Sequence, residues 1–139
     1  MRLGLCKLCQ FASRLADGRP VIVGIFSRMM TSGMPAMLDP CCIAVEIESE
    51  PHESGRSHTI EMRLIDEDGR TMTSWSGELE LPETGEPMYH RTFFTIDAPW
   101  DEQFVFQNEG AYRIDVVRFN ENGESDVLGG ETLYVSSTS

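Results

Sequence analysis

Positive charge is scarce in this chain: 11 basic side chains stand against 23 acidic ones, for a formal net charge of −12. A surface of that sign repels phosphate backbones, which argues against nucleic acid as a partner. It suits solubility and contact with basic protein surfaces. Long apolar runs are missing as well. Nowhere do eighteen apolar residues follow one another, so no segment reads as a membrane-spanning helix. The first apolar run, residues 3–11, is broken by Lys7 and Gln10, which excludes the hydrophobic core of a signal peptide. No such core precedes Cys6, so Leu3-Gly4-Leu5-Cys6 does not read as a lipoprotein site. The expected compartment is the cytoplasm of a bacterium or of a phage-infected cell.

Catalytic signatures are also absent. There is no glycine-rich phosphate loop, because Gly129-Gly130 leads into a strand-like run and not into a helix. Neither a nucleophile elbow nor a catalytic-cysteine signature occurs. The three histidines, His52, His58 and His90, lie in or beside the polar stretch 50–57 or next to a strand, without a third residue to orient them. Glu53 paired with Glu86 or Asp101 as a glycosidase couple is unconstrained by any spacing.

Four cysteines, Cys6, Cys9, Cys41 and Cys42, are too few for a disulfide framework in 139 residues. Cys6-Lys7-Leu8-Cys9 has metal-knuckle spacing, and Cys41-Cys42 would complete four thiolates. Both pairs fall in strand-like runs, however, where Cys6 and Cys9 point to opposite faces, as do Cys41 and Cys42. The acidic turn Asp66-Glu67-Asp68 with Asp97 and Asp101 resembles a calcium ligand set, yet turn chemistry accounts for it without an ion. No catalytic residue, cofactor or metal is therefore expected.

What is there is strand patterning. Residues 57–81 form two runs around Asp66-Glu67-Asp68-Gly69, with Ile60, Met62 and Leu64 on one face and Glu61 and Arg63 on the other. In the second run Trp75, Gly77, Leu79 and Leu81 share a phase that Met72 does not, which predicts a bulge near Thr73-Ser74. Residues 21–26 are apolar on both faces and read as a strand covered on both sides. From Cys41, the residues Ile43, Val45 and Ile47 alternate with Glu46 and Glu48. Further strands are predicted over 90–96, 110–116 and 128–135, with an apolar patch at Phe104 and Phe106 and a turn at Asn120-Glu121-Asn122-Gly123. Residues 82–88 read as a loop. About eight strands at intervals of roughly ten residues, without a helix longer than two turns, predict an all-β, two-sheet antiparallel sandwich. It is expected to be one domain over residues 1–139, with an ordered core over about 3–136. The Gly110-x-Tyr112 step, just before the penultimate strand, is similar to the tyrosine at a sandwich corner in immunoglobulin-like domains, while their inter-sheet Cys-Trp-Cys constellation is absent.

Several short motifs occur in order: Cys9-Gln10-Phe11-Ala12, Asp17-Gly18-Arg19, Ile22-Val23-Gly24-Ile25-Phe26, Pro35, Ile65-Asp66-Glu67-Asp68-Gly69 and Gly110-Ala111-Tyr112. The chain thereby resembles an uncharacterised family of small bacterial and phage all-β proteins, a domain of unknown function. Its members carry an N-terminal Cys-Asp-Tyr-Ala-like segment, then Gly-Lys and a Gly-Val-Phe-Asp-like motif. This chain departs at Gln10, Arg19 and Ser27, where the family has Asp, Lys and Asp. The resemblance implies a β-sandwich and supplies no activity.

The remaining feature is residues 29–40, with four methionines broken by Gly33, Pro35 and Pro40, which predicts an irregular crossover between sheets. Unbranched thioethers make adaptable contact surfaces. Met29, Met30, Met34 and Met37 are accordingly the candidate surface for a protein partner. The function expected is that of a non-catalytic binding or accessory module acting through loops or an edge strand. The alternatives are a small hydrolase using a loop histidine and an acidic decoy for a basic protein surface.

Overall fold

The computed structural model describes residues 1–83 and 90–138, and every strand in it follows from a two-residue alternation or a short nonlocal pairing. Eight long strands carry the framework: β1 (Arg2–Arg14), β2 (Pro20–Phe26), β5 (Cys41–Ser49), β6 (Ser57–Ile65), β7 (Thr71–Glu80), β8 (His90–Ala98), β10 (Gly110–Phe119) and β11 (Ser125–Ser137). Three short ones join them: β3 (Arg28–Thr31), β4 (Ala36–Met37) and β9 (Val105–Phe106). The only helical element among the described residues is a single turn at Pro51–Glu53. The loop predicted over 82–88 lies largely outside the described residues.

One sheet has the order β2-β1-β5-β8, a second β3-β11-β10-β6-β7, and β4 and β9 form a ribbon. The alternating residues face one shared core. Ile43, Val45 and Ile47 from the first sheet meet Ile60, Met62, Leu64, Ile114 and Val116 from the second, all essentially inaccessible to solvent. Burying a side chain of that size contributes about 1.5–3 kcal/mol each. The ribbon and the residues flanking it add Leu38, Phe104 and Phe106 to that core. A chain of edge-on rings runs through it, with centroids 4.7 Å apart for Trp100–Phe104, 5.9 Å for Phe104–Phe106 and 4.7 Å for Phe106–Tyr112.

Three expectations need correction. Residues 21–26 are not covered on both sides: β2 is the outermost strand of its sheet, and Val23 and Ile25 are half exposed. An all-apolar run cannot by itself distinguish a central strand from an edge. The bulge in β7 falls at Met72, because Leu64 pairs with Thr73 while Ile65 pairs with Thr71. The Met-rich segment crosses between sheets as expected, but it is not irregular throughout. Arg28–Thr31 pairs parallel with β11, and Ala36–Met37 pairs with β9.

The hairpin of β1 and β2 does not continue flat. β1 leaves β5 after Cys9, which pairs with Cys42. Beyond that point the register partners Cys9–Ile25 and Phe11–Val23 flank a gap at Gln10 and Gly24. Gly24 has φ +70°, and a Cβ there would sit 2.9 Å from the Gln10 side chain, so only glycine fits the bend. Past the bend the hairpin curls back over its own sheet. The Arg14 guanidinium donates to the Phe93 carbonyl on β8 and lies 5.9 Å from that ring. Ala12 and Ile22 pack on Cys9, Cys42, Ala44 and Phe93, forming a small second core beneath the hairpin.

Candidate functional site

The curled hairpin buries one face and leaves the other to solvent. Phe11 is 58% exposed, Val23 50% and Ile25 56%, with Leu15 beside the turn at 45%. Phe11 and Val23 are direct cross-strand partners and Ile25 lies two residues along the same strand face, so the three are contiguous. The free edge of β2 adjoins them. Among the described residues no strand pairs with that edge, and residues 21–26 contain no charge and no proline. Alternate backbone N–H and C=O groups are therefore left available along it.

Charge is partitioned along the chain in a way the total conceals. Residues 1–38 carry five basic side chains (Arg2, Lys7, Arg14, Arg19, Arg28) and one acidic (Asp17), a net +4. Residues 39–139 carry six basic and 22 acidic, a net −16. Arg2 is paired with Glu48 and Lys7 with Glu131 at 3.1 Å, so the curled hairpin and the strand after it, residues 9–31, keep Arg14, Arg19 and Arg28 against Asp17, a net +2 within an acidic protein. Arg28 stacks 5.5 Å from the Tyr134 ring, and Arg19 pairs with Asp17 at 2.7 Å. Counting charge by segment would have revealed this from sequence; the whole-chain figure hid it.

The four methionines divide. Met30 is 70% exposed and Met37 47%, whereas Met29 and Met34 pack against the main core. Met30 lies on β3, which follows β2 directly through Ser27.

The histidines have separate fates. His52 is exposed, with Nδ1 3.3 Å from the Glu50 carboxylate. His58 is buried, with Nε2 3.1 Å from the Glu53 carbonyl oxygen. His90 opens β8 and is partly buried. An open cleft of about 700 Å³ includes His52, His58, Arg56 and Arg118 in its lining. Glu53, on its wall, is committed to structure: Oε1 meets the Met1 ammonium at 2.7 Å and Oε2 the Arg118 guanidinium at 2.9 Å. Burial pushes the Glu53 carboxyl up. The Glu50 N–H, the ammonium and Arg118 outweigh that and hold it below the usual carboxylate range. It is thus ionised and neutralised, unsuited to proton transfer. Glu50, His52 and Glu53 could bring one ligand atom each within 4.8 Å of the others, but both Glu53 oxygens are already engaged.

Asp101 accepts from the Thr73 hydroxyl at 2.6 Å, and that hydroxyl in turn accepts from the Trp100 indole at 3.0 Å. Asp66 accepts from the N–H groups of Asp68 and Arg70, and Glu67 from that of Ala111. Of the acidic residues considered for calcium, Asp66, Glu67 and Asp101 therefore satisfy turns and strand ends. Glu86 lies outside the described residues. The cysteines separate by face as the strand alternation requires: Cys6 and Cys41 belong to the main core, Cys9 and Cys42 to the second. The approach of Cys9 to Cys42, with sulfurs 3.2 Å apart, depends on strand register and was not visible in the sequence.

A family model described as a family of unknown function (DUF6941) matches residues 5–125, and the chain belongs to that family. No curated protein matches. Among solved structures, the chain is similar to the crystal structure of the PmoD soluble domain from Methylocystis sp. ATCC 49242 (Rockwell), with 15% identity, 94% of this chain and 98% of that chain covered, and a TM-score of 0.41. No helix among the described residues is long and apolar enough to cross a membrane.

Proposed function

We propose that this protein is a non-catalytic cytoplasmic binding module of immunoglobulin-like sandwich type. On this reading it takes up an extended segment of a partner protein along the open edge of β2. The observation that carries the reading is that edge itself: uncharged, unpaired, flanked by exposed Phe11, Val23 and Ile25, and set in the net-positive part of a net-negative chain. A strand added there gains main-chain hydrogen bonds for affinity, and the apolar row supplies specificity through alternate side chains. Charge complementarity selects an occupant with apolar residues alternating with Asp or Glu. Exposed Met30 extends the contact with an adaptable thioether. The immunoglobulin-like part is supported by Tyr112, whose hydroxyl donates to the Asn108 carbonyl at 2.6 Å, in the manner of a sandwich-corner tyrosine.

The test is selection of random peptides displayed against the immobilised protein. The expected outcome is an alternating apolar–acidic consensus whose affinity falls with salt and is lost in Val23→Lys/Ile25→Lys. Selected peptides that bind the double variant equally well would refute the edge. A dimer in sedimentation that the same variant dissolves would replace the partner segment with a second copy of this chain.

A further inference from the structure

Cys9 and Cys42 stand directly opposite one another on β1 and β5, with their sulfurs 3.2 Å apart. Opposed residues of an antiparallel pair have Cα atoms roughly 4.5–5.5 Å apart, inside the range a disulfide spans. Only a rotation of the two side chains is needed to bring the sulfurs to about 2 Å. The pair sits under the curled hairpin, packed among Ala44, Phe93, Ala12 and Ile22. Cys6 is turned into the other core; Cys41, partly buried against that core, also borders the cleft that Cys42 lines, but it pairs with Ala98 on β8 and stands opposite no residue of β1.

We propose that Cys9 and Cys42 form a two-electron oxidation site, closing to an intramolecular disulfide when the protein meets hydrogen peroxide. Cys42 reacts first. It is the member of the pair that lines an open cleft of about 610 Å³ bounded by Gln10, Phe11 and Pro99, whereas Cys9 is fully enclosed. Burial and then the contact with Cys42 also push the Cys9 thiol up to about 12, which leaves it a poor first nucleophile. The Cys42 thiolate attacks one peroxide oxygen; the O–O bond breaks, and the departing hydroxide takes up the thiol proton as water. The Cys9 sulfur then attacks the Cys42 sulfenic acid; the S–O bond breaks, and a second water leaves with the Cys9 proton. Two thiols are oxidised and one peroxide is reduced. The product ties β1 to β5 at the root of the hairpin and holds the bend in place.

The experiment treats the intact protein with hydrogen peroxide, alkylates remaining thiols under denaturing conditions and maps tryptic peptides by mass spectrometry. The expected result is residues 8–14 linked to residues 29–56 in most molecules, released by a dithiol reductant. The link should persist in Cys41→Ser and Cys6→Ser and vanish in Cys42→Ser and Cys9→Ser. Because Cys9→Ser removes a buried thiol and could impair folding, the wild-type and Cys41→Ser maps decide the assignment. A link retained in Cys42→Ser, a link to residues 3–7, a disulfide between two chains, or sulfinic acid at Cys42 without a link would each overturn it.

Discussion

β2 and β7 both end a sheet, yet they meet solvent in opposite ways. β7 carries Glu78 and Glu80 on its exposed face, and the bulge at Met72 twists its ladder. Glu78 is anchored by hydroxyl donors from Ser57 at 2.7 Å and Thr59 at 2.8 Å. Charges and bulges are the devices that stop edge-to-edge pairing. β2 has neither a charge nor a bulge in its register and exposes Val23 and Ile25 instead. One edge of the protein is guarded and another is open. Val23 and Ile25 therefore add little to the core.

The sharpest way to break this contrast is to guard β2 as β7 is guarded. Val23→Lys/Ile25→Lys should lower affinity for a selected peptide at least about thirtyfold by calorimetry, with thermal stability unchanged, since burying two unpaired ammonium groups offsets the apolar contact. Ser76→Lys on β7 should change nothing. Equal losses from both variants would mean that the two edges do not differ in function.

A backbone test comes next. Gly24→Ala forces a side chain into positive φ against Gln10 and should cost about 2 kcal/mol in denaturant unfolding. Gly33→Ala, at an ordinary φ with nothing within 4 Å of the added Cβ, should cost about 1 kcal/mol or less. A reversed order would show that the hairpin bend is soft.

Removing the guard from β7 is the converse experiment. Glu78→Val/Glu80→Val should make the protein self-associate in a concentration-dependent way, with light scattering growing roughly tenfold faster at neutral pH. The smallest effect is expected from acid. Hydrogen bonds from Ser57 and then Thr59 hold the Glu78 carboxyl below its ordinary value of 4.5. A depressed folded-state pKa contributes stability that is present above 4.5 and lost as pH falls through the lower folded value. Self-association through β7 should accordingly begin only below that point, while Glu78→Gln should move its onset toward neutrality. An onset unaffected by Glu78→Gln would detach the guard from this residue.

Much of the framework was legible because half-buried strands alternate and tight turns have few permitted residues. Asp68-Gly69 and Asn122-Gly123 do form turns, with Gly69 and Gly123 at positive φ, and Ile60, Met62 and Leu64 do face the core. The parallel pairing of β3 with β11 was not legible, since it joins Arg28 to Tyr134 from nearly opposite ends of the chain. Met29 and Met30 are chemically identical neighbours; only their strand geometry sends one to the core and the other to solvent.

An all-β chain, the phase of most strands, the acidic total and a basic segment in the first 38 residues all follow from the order of amino acids. Those properties depend on local alternation and composition. That β2 is an open edge, that the hairpin curls at Gln10 and Gly24, and that Cys9 faces Cys42 at 3.2 Å emerge only in the folded molecule. Each of these is a statement about which strand lies beside which, and strand order and register are set by packing between distant segments.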